Sequence, residues 1–258
     1  MTPTPVRPTR VGMIVPSWNT TMEAELPELL RRQQQSGSPR LSLHSARLRP
    51  MAGPDEQDAV MDAVDALSDA QVEALIHADV SGLMLRGRRR ICDMHAQLSQ
   101  QAAESGRHPS VITSAGALVS ALKALNAGRI TLIAPYLKAA TQQVCKTLGE
   151  YGIEAVQSRS LEIVAPALVG RLDQAKLLAI ASQLDYSGSQ ALVISACVQM
   201  PSLDVIDEAE QMLGLPVISA ATATAFELLN CLDIEPAIHG AGCLLRPRSA
   251  ARRQAVVL

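Results

Sequence analysis

Short apolar runs alternate along this chain with longer stretches whose apolar residues recur at helical spacing. Arg10 to Pro16, Glu73 to Val80, Ser110 to Thr113, Arg129 to Tyr136 and Gln190 to Ile194 are rich in branched aliphatics, as in strands covered on both faces. Leu41 to Ala46 alternates like a further strand, and Val217 to Thr222 echoes Val111 to Gly116. Between them, Met22, Leu26, Leu29 and Leu30, then Leu118, Leu122 and Leu125, then Leu203, Val205, Ile206, Ala209 and Met212 mark helical stripes. Met51 to Ser68 reads as an acidic surface helix. The basic run Arg86 to Arg90 reads as a loop before a helix over Ile91 to Ala103. Strands that alternate with helices predict an α/β fold with parallel sheets.

The pattern also starts twice. Arg129-Ile130-Thr131-Leu132-Ile133-Ala134-Pro135-Tyr136 lies over Arg10-Val11-Gly12-Met13-Ile14-Val15-Pro16-Ser17 without a gap, at an offset of 119 (129 − 10). Ala191 to Val198 lies over Glu73 to Val80 at an offset of 118 (197 − 79). The expected architecture is two pseudo-symmetric lobes, each a parallel sheet flanked by helices, with the active site in the cleft between them at the carboxyl ends of the strands. The expected boundaries are a disordered leader at 1–9, an N-terminal lobe at 10–115 plus 220–258, and a C-terminal lobe at 116–219. On this pseudo-twofold arrangement Asp79 faces Cys197, and Asn19 faces Tyr136.

Composition narrows the picture. Hydrophobic residues make up 48% of the 258 positions and aromatics only 2%, so the core must be aliphatic. A net charge of -2 gives no electrostatic reason to expect nucleic acid or an anionic membrane as partner. No apolar run approaches the roughly 20 residues that span a bilayer. Cys92, Cys145, Cys197, Cys231 and Cys243 are odd in number and lack CxxC spacing, which fits a reducing cytoplasm rather than a disulfide framework. With His44, His77, His95, His108 and His239 they form no metal-ligand pattern, and His77 on a strand reads most simply as a core or interface residue.

Candidate chemistry gathers at the strand ends. Cys197 stands where a strand runs into a turn and helix, so free amides and a helix dipole are expected to lower its thiol pKa toward neutrality. Ser17, Asn19 and Thr20 follow the first strand, and Ser114 opens a helix after the fourth; each is an ordinary cap residue or part of a carboxylate pocket. The amides of Val80, Ser81, Val198 and Gln199, with the side chains of Asn19, Thr20 and Tyr136, are donors available to a carbanion or enediolate. Two proton-transfer groups facing each other across a small ligand suit isomerisation or racemisation without metal or cofactor.

Val11 to Glu23, Val111 to Leu118, Ala134-Pro135-Tyr136 and Leu192 to Leu203 resemble the maleate cis-trans isomerases of the aspartate/glutamate racemase superfamily, which includes arylmalonate decarboxylases and hydantoin racemases. The likeness runs from about residue 10 to residue 245. It implies two Rossmann-like lobes, no cofactor, Cys197 as the second-lobe catalytic cysteine, and Asn19 and Tyr136 as contacts to a substrate carboxylate. The chain departs from that pattern at Asp79, which stands where a first-lobe cysteine attacks the alkene, and at Pro166, where a polar substrate-binding residue is usual. The expected function is cofactor-independent isomerisation of a small carboxylate or dicarboxylate by Cys197 with Asp79 opposite. The alternatives are decarboxylation of a malonate-type acid with Cys197 as sole proton donor, or a non-catalytic carboxylate-binding homologue. Self-association into a homodimer or higher homo-oligomer completes the expected partners.

Overall fold

The computed structural model of the chain describes residues 7–49 and 54–247. The first sheet contains β1 (Thr9–Pro16), β2 (Leu41–Leu48), β3 (Ala74–His77) and β4 (Ser110–Thr113), ordered β2-β1-β3-β4. The second contains β5 (Arg129–Ala134), β6 (Glu154–Ser160), β7 (Ala191–Ser195) and β8 (Val217–Ser219), ordered β6-β5-β7-β8. Every pairing is parallel, and the two orders are the same once β1 is matched to β5. The repeat read from the aliphatic runs is therefore a repeat of topology. It extends to single bonds: Ala78 N–H donates to Ile14 O at 2.8 Å, and its counterpart Ala196 N–H donates to Ile133 O at 3.0 Å.

The central strands β3 and β7 are buried along their whole length, which accounts for their unbroken apolar sequences. β6, Glu-Ala-Val-Gln-Ser-Arg-Ser, was not anticipated. It is a half-exposed edge strand, so its sequence lacks the aliphatic run that marks the others. Most of residues 1–9, expected as a leader, lie outside the described residues, but Thr9 already belongs to β1. Residues 51–53 of the expected acidic helix and 248–258 of the expected N-terminal lobe are also outside them; the helix itself is α2 (Pro54–Asp69).

The other helices are α1 (Met22–Gln35), α3 (Val80–Met84), α4 (Gly87–Glu104), α5 (Ser114–Ala124), α6 (Lys138–Gly149), α7 (Pro166–Val169), α8 (Gln174–Ala181), α9 (Ile206–Leu213) and α10 (Ala220–Cys231). α10 packs on α5 and α1, and α5 and α10 both carry buried alanines, among them Ala115, Ala121, Ala220 and Ala223. Ser114 is consumed there: it is fully buried, and Thr224 Oγ1 donates to its hydroxyl at 2.9 Å.

The run Arg86 to Arg90 is not a loop, since α4 begins at Gly87. Three arginines in a first turn oppose the helix dipole. Glu150 offsets this by accepting from Arg88 N–H at 2.8 Å, while the Arg88 guanidinium stacks 4.9 Å from the Tyr151 ring centre. Arg89 is exposed beside Asp93. Only Arg86 and Arg90 turn toward the end of β3.

Candidate active site

The two equivalent strand ends behave differently. After β3, Asp79 becomes at once the N-cap of α3: its Oδ1 accepts from Gly82 N–H at 2.9 Å and from the Ser81 hydroxyl at 3.0 Å. After β7, Cys197 enters a turn that becomes helical only at the 3-10 segment Leu203–Val205. Ser195 Oγ clamps that turn by donating to the carbonyls of Cys197 at 2.8 Å and Met200 at 3.1 Å. Cys197 is thus not at a helix N-terminus. Burial raises its thiol pKa, helped by the charge of Asp79 and opposed by the Gln199 amide and the Tyr136 hydroxyl. The expected shift toward neutrality is overturned, because desolvation outweighs a helix dipole that the turn holds at a distance. Burial thus favours the neutral thiol over the thiolate.

The turn is anchored from the other half of the molecule. Thr21 Oγ1, just before α1, donates to Gln199 O at 2.7 Å. Glu25 of α1 accepts from Ser202 N–H at 2.6 Å and from Leu203 N–H at 2.9 Å. Glu25 is buried and its pKa is pushed up to about 7, chiefly by that burial, with the two backbone bonds pulling the other way. Sequence reasoning passed over Glu25. Its signal was a carboxylate on the stripe of Met22, Leu26 and Leu29, where a charge needs a partner.

One cavity of about 270 Å³ brings together Asp79, Val80, Ser81, Asn19, Cys197, Val198 and Gln199. Its size suits a molecule smaller than the drug-sized ligands that fill sites of roughly 300–1,000 Å³. Asn19 Oδ1 caps α1 by accepting from Met22 N–H at 3.1 Å, so the Asn19 NH2 group is the part left to donate to a ligand. Cap and ligand contact, read as alternatives from the sequence, are compatible roles for the two ends of one amide. Gln199 Nε2 donates to Pro166 O at 2.6 Å, so α7 meets the turn through a backbone carbonyl.

The cavity is less symmetric than the repeat implies. Its wall comes mainly from the first half, including Trp18, Leu48, Arg49, Glu56 and Val60, with only Cys197 to Gln199 from the second. Tyr136 does not line it. It sits behind Cys197, donating its hydroxyl to Ala196 O at 3.0 Å and interacting with the Cys197 and Ser81 side chains. Burial, then the adjacent Cys197, push its pKa well up, so it serves as a donor. Ser17, Thr20 and Ser114 are not in the wall either. Ser17 N–H is bonded to Leu48 O at 2.6 Å, Thr20 is exposed, and Ser114 lies in the contact between α5 and α10.

A small recess continues behind Asp79, lined by Glu56, His77, Gly82, Arg86 and Arg90. Arg86 pairs with Glu56 at 3.1 Å, and Arg90 donates to Gln57 at 3.0 Å. Among the described residues no three His, Cys, Asp or Glu side chains are grouped to hold a metal ion, and no helix is long and apolar enough to cross a membrane.

Gly82 fixes where the Asp79 carboxylate can lie. A Cβ at this position would stand 2.1 Å from Asp79 Oδ2. Gly82→Ala is therefore expected to displace the carboxylate and cut turnover about tenfold or more, with a stability loss of about 1–3 kcal/mol typical of overpacking. A variant with wild-type kcat would show that the carboxylate position does not matter.

Residues 11–245 match the sequence profile of the arylmalonate decarboxylase family. The chain belongs to that family. The chain is 42% identical over 243 residues to a maleate isomerase of Geobacillus stearothermophilus, covering 92% of this chain and 96% of the relative. It is 41% identical to one of Pseudomonas putida, with the same coverage. Among solved structures, the maleate isomerase of Pseudomonas putida S16 superposes with a TM-score of 0.88 at 35% identity, covering 93% of this chain and 98% of that one. A mutant Nocardia farcinica maleate cis-trans isomerase with a covalently bound succinylcysteine intermediate gives 0.87 at 37% identity, covering 93% and 99%. Arylmalonate decarboxylase itself superposes with a TM-score of 0.71 at 20% identity, a likeness of fold. This family member is thus an α/β protein of the aspartate/glutamate racemase superfamily, as the resemblance implied.

Proposed function

We propose that the chain is a cofactor-independent cis-trans isomerase of a small unsaturated dicarboxylate, with maleate as its substrate, working with one thiol and one carboxyl group. The observation that carries this reading is that Cys197 and Asp79, at equivalent strand ends, line one small cavity. The maleate isomerase relatives supply the substrate.

Cys197 Sγ attacks one alkene carbon. The π pair moves to the neighbouring carbon, where the adjacent carboxylate holds it as an enediolate, and the thiol proton passes to Asp79. Asp79 then delivers that proton to the carbon. The product is a succinyl thioether whose central bond is single and rotates. The reverse sequence, with Asp79 taking the proton and the C–S bond breaking, releases fumarate and returns the proton to sulfur.

A neutral thiol beside a carboxylate is the required starting state, since Asp79 acts as general base for the attack and as general acid afterwards. Asn19 and the amides of Val198 and Gln199 are the donors for the substrate carboxylates. Five unpaired cysteines fit a reducing compartment, and we place the protein in the cytoplasm.

Proton NMR of maleate in the presence of purified protein tests the proposal. Conversion to fumarate in chelator-treated buffer is expected. Release of carbon dioxide from phenylmalonate without any maleate conversion would replace this reading by the decarboxylase one. Tight binding of maleate without turnover would leave only the carboxylate-binding one.

A further inference from the structure

His77 is the last residue of β3, paired in register with Ile14 and Thr113, and it is only 5% exposed. It lines both the main cavity and the recess behind Asp79. Its Nδ1 is buried without a hydrogen-bond partner. Buried polar atoms are nearly always bonded, and an aliphatic residue at this strand end would avoid the penalty, so the imidazole calls for a reason.

The surroundings supply one. Two residues on, Asp79 has both donors on Oδ1, which leaves Oδ2 as its free oxygen. Glu56 from α2, Arg90 from α4 and Arg86 between α3 and α4 complete the charged groups around the ring. Arg86 is engaged by Glu56, and the terminal nitrogens of Arg90 by Gln57 and Gln97, while Arg90 Nε, like His77 Nδ1, is buried without a partner. A dicarboxylate entering the cavity brings two negative charges beside Asp79. His77 is the buried group next to it that can gain a positive charge in response.

We propose that His77 is the positioning residue that shares a proton with Asp79, as carboxylic acid beside imidazole or as carboxylate beside imidazolium. The inference deepens the isomerase reading and rests on it for the substrate class. The proton that Asp79 takes from Cys197 rests on this pair: an O–H bond breaks as an N–H bond forms, and the reverse transfer precedes delivery to carbon. Burial favours the neutral ring in the free protein, against the pull of Asp79 and Glu56 and together with the push of Arg90. Substrate charge tips the balance toward imidazolium.

The test uses full-length protein with isotope-labelled histidine, the His77 signal being identified by its loss in His77→Gln. The ring is titrated from about pH 5 to about pH 9 with and without saturating succinate, a dicarboxylate that has no alkene to react. Succinate is expected to raise the proton affinity of His77 about tenfold. Asp79→Asn, which keeps a capping side chain, is expected to lower it about threefold or more in the free and ligated states alike.

In turnover, His77→Gln should lower kcat about tenfold with KM changed less than about threefold, and should remove the limb of the pH profile that follows the His77 midpoint. A purely structural histidine would leave the pH profile intact. A ring that stays neutral to about pH 5 in both states, or whose midpoint ignores Asp79→Asn, overturns the proposal. If wild type binds no succinate and converts no maleate, the isomerase reading falls by itself; the Asp79→Asn comparison in the free protein still decides whether the pair exists.

Discussion

Cys197→Ala is expected to lower maleate turnover by about 10^4-fold or more, because in the proposed cycle the thiol is both the attacking atom and the source of the proton that moves. The substitution removes one sulfur from a buried position and should cost no more than about 1–2 kcal/mol in stability, so the protein should stay folded and still bind dicarboxylate. Asp79 is the competing nucleophile, since it stands where the resemblance places an attacking cysteine. Acid-quenched wild type digested and analysed by mass spectrometry should carry the succinyl group on the Cys197 peptide. A succinyl ester on Asp79, together with turnover retained in Cys197→Ala, would reverse the assigned roles. Geometry favours the thiol. Asp79 is tethered through Oδ1 to two donors on its own helix turn, which weakens it as a nucleophile while holding it well for proton transfer.

The second large effect is on stability. Glu25 has its pKa moved from an ordinary 4.5 to about 7, mainly by burial. A carboxyl group with a raised folded-state pKa binds more protons folded than unfolded, so its penalty is absent below about pH 4.5 and grows as pH rises to about 7. At 1.36 kcal/mol per unit, that penalty is about 3 kcal/mol above pH 7. Glu25→Gln keeps an oxygen for Ser202 N–H and Leu203 N–H and removes the charge. It also puts an NH2 group in place of Oε2, which is buried without a partner, as is Ser202 Oγ.

The expected result is a variant stabilised by up to about 3 kcal/mol at pH 8 and indistinguishable from wild type near pH 4, read from urea midpoints at both values. Equal midpoints at pH 8 would mean that the carboxylate and its two backbone bonds offset its own burial. Wild type is also expected to be more stable at pH 5 than at pH 8 through this group. Glu25 therefore links pH to the anchor of the turn that carries Cys197.

The strands that build the site were readable because buried parallel strands demand unbroken aliphatic runs, and the repeat was readable because two such runs recur at nearly one offset. The edge strand β6 and the true start of α4 were not. β6 is a half-exposed edge strand with no core-facing run, and the arginines that open α4 are met by Glu150, far along the chain, which accepts from Arg88 N–H. At the site, the gathering of Asn19, Asp79, Cys197 and Gln199 followed from strand ends facing one cleft. Ser17, Thr20 and Ser114 share the same local signature of a polar residue at a strand end. Whether such a residue caps a helix, meets solvent or faces a ligand depends on packing that local sequence does not contain.

By itself the sequence determined the α/β class, the doubled sheet and the two equivalent strand ends that carry Asp79 and Cys197, because each is written in local runs of residues. The tertiary structure decided the electrostatics. It placed Cys197 in a buried turn that becomes helical only at Leu203, set Tyr136 behind the thiol and not in the cavity, and left His77 beside Asp79 with an unbonded nitrogen. Burial and long-range contacts fix proton affinities, and both arise only when distant segments pack together.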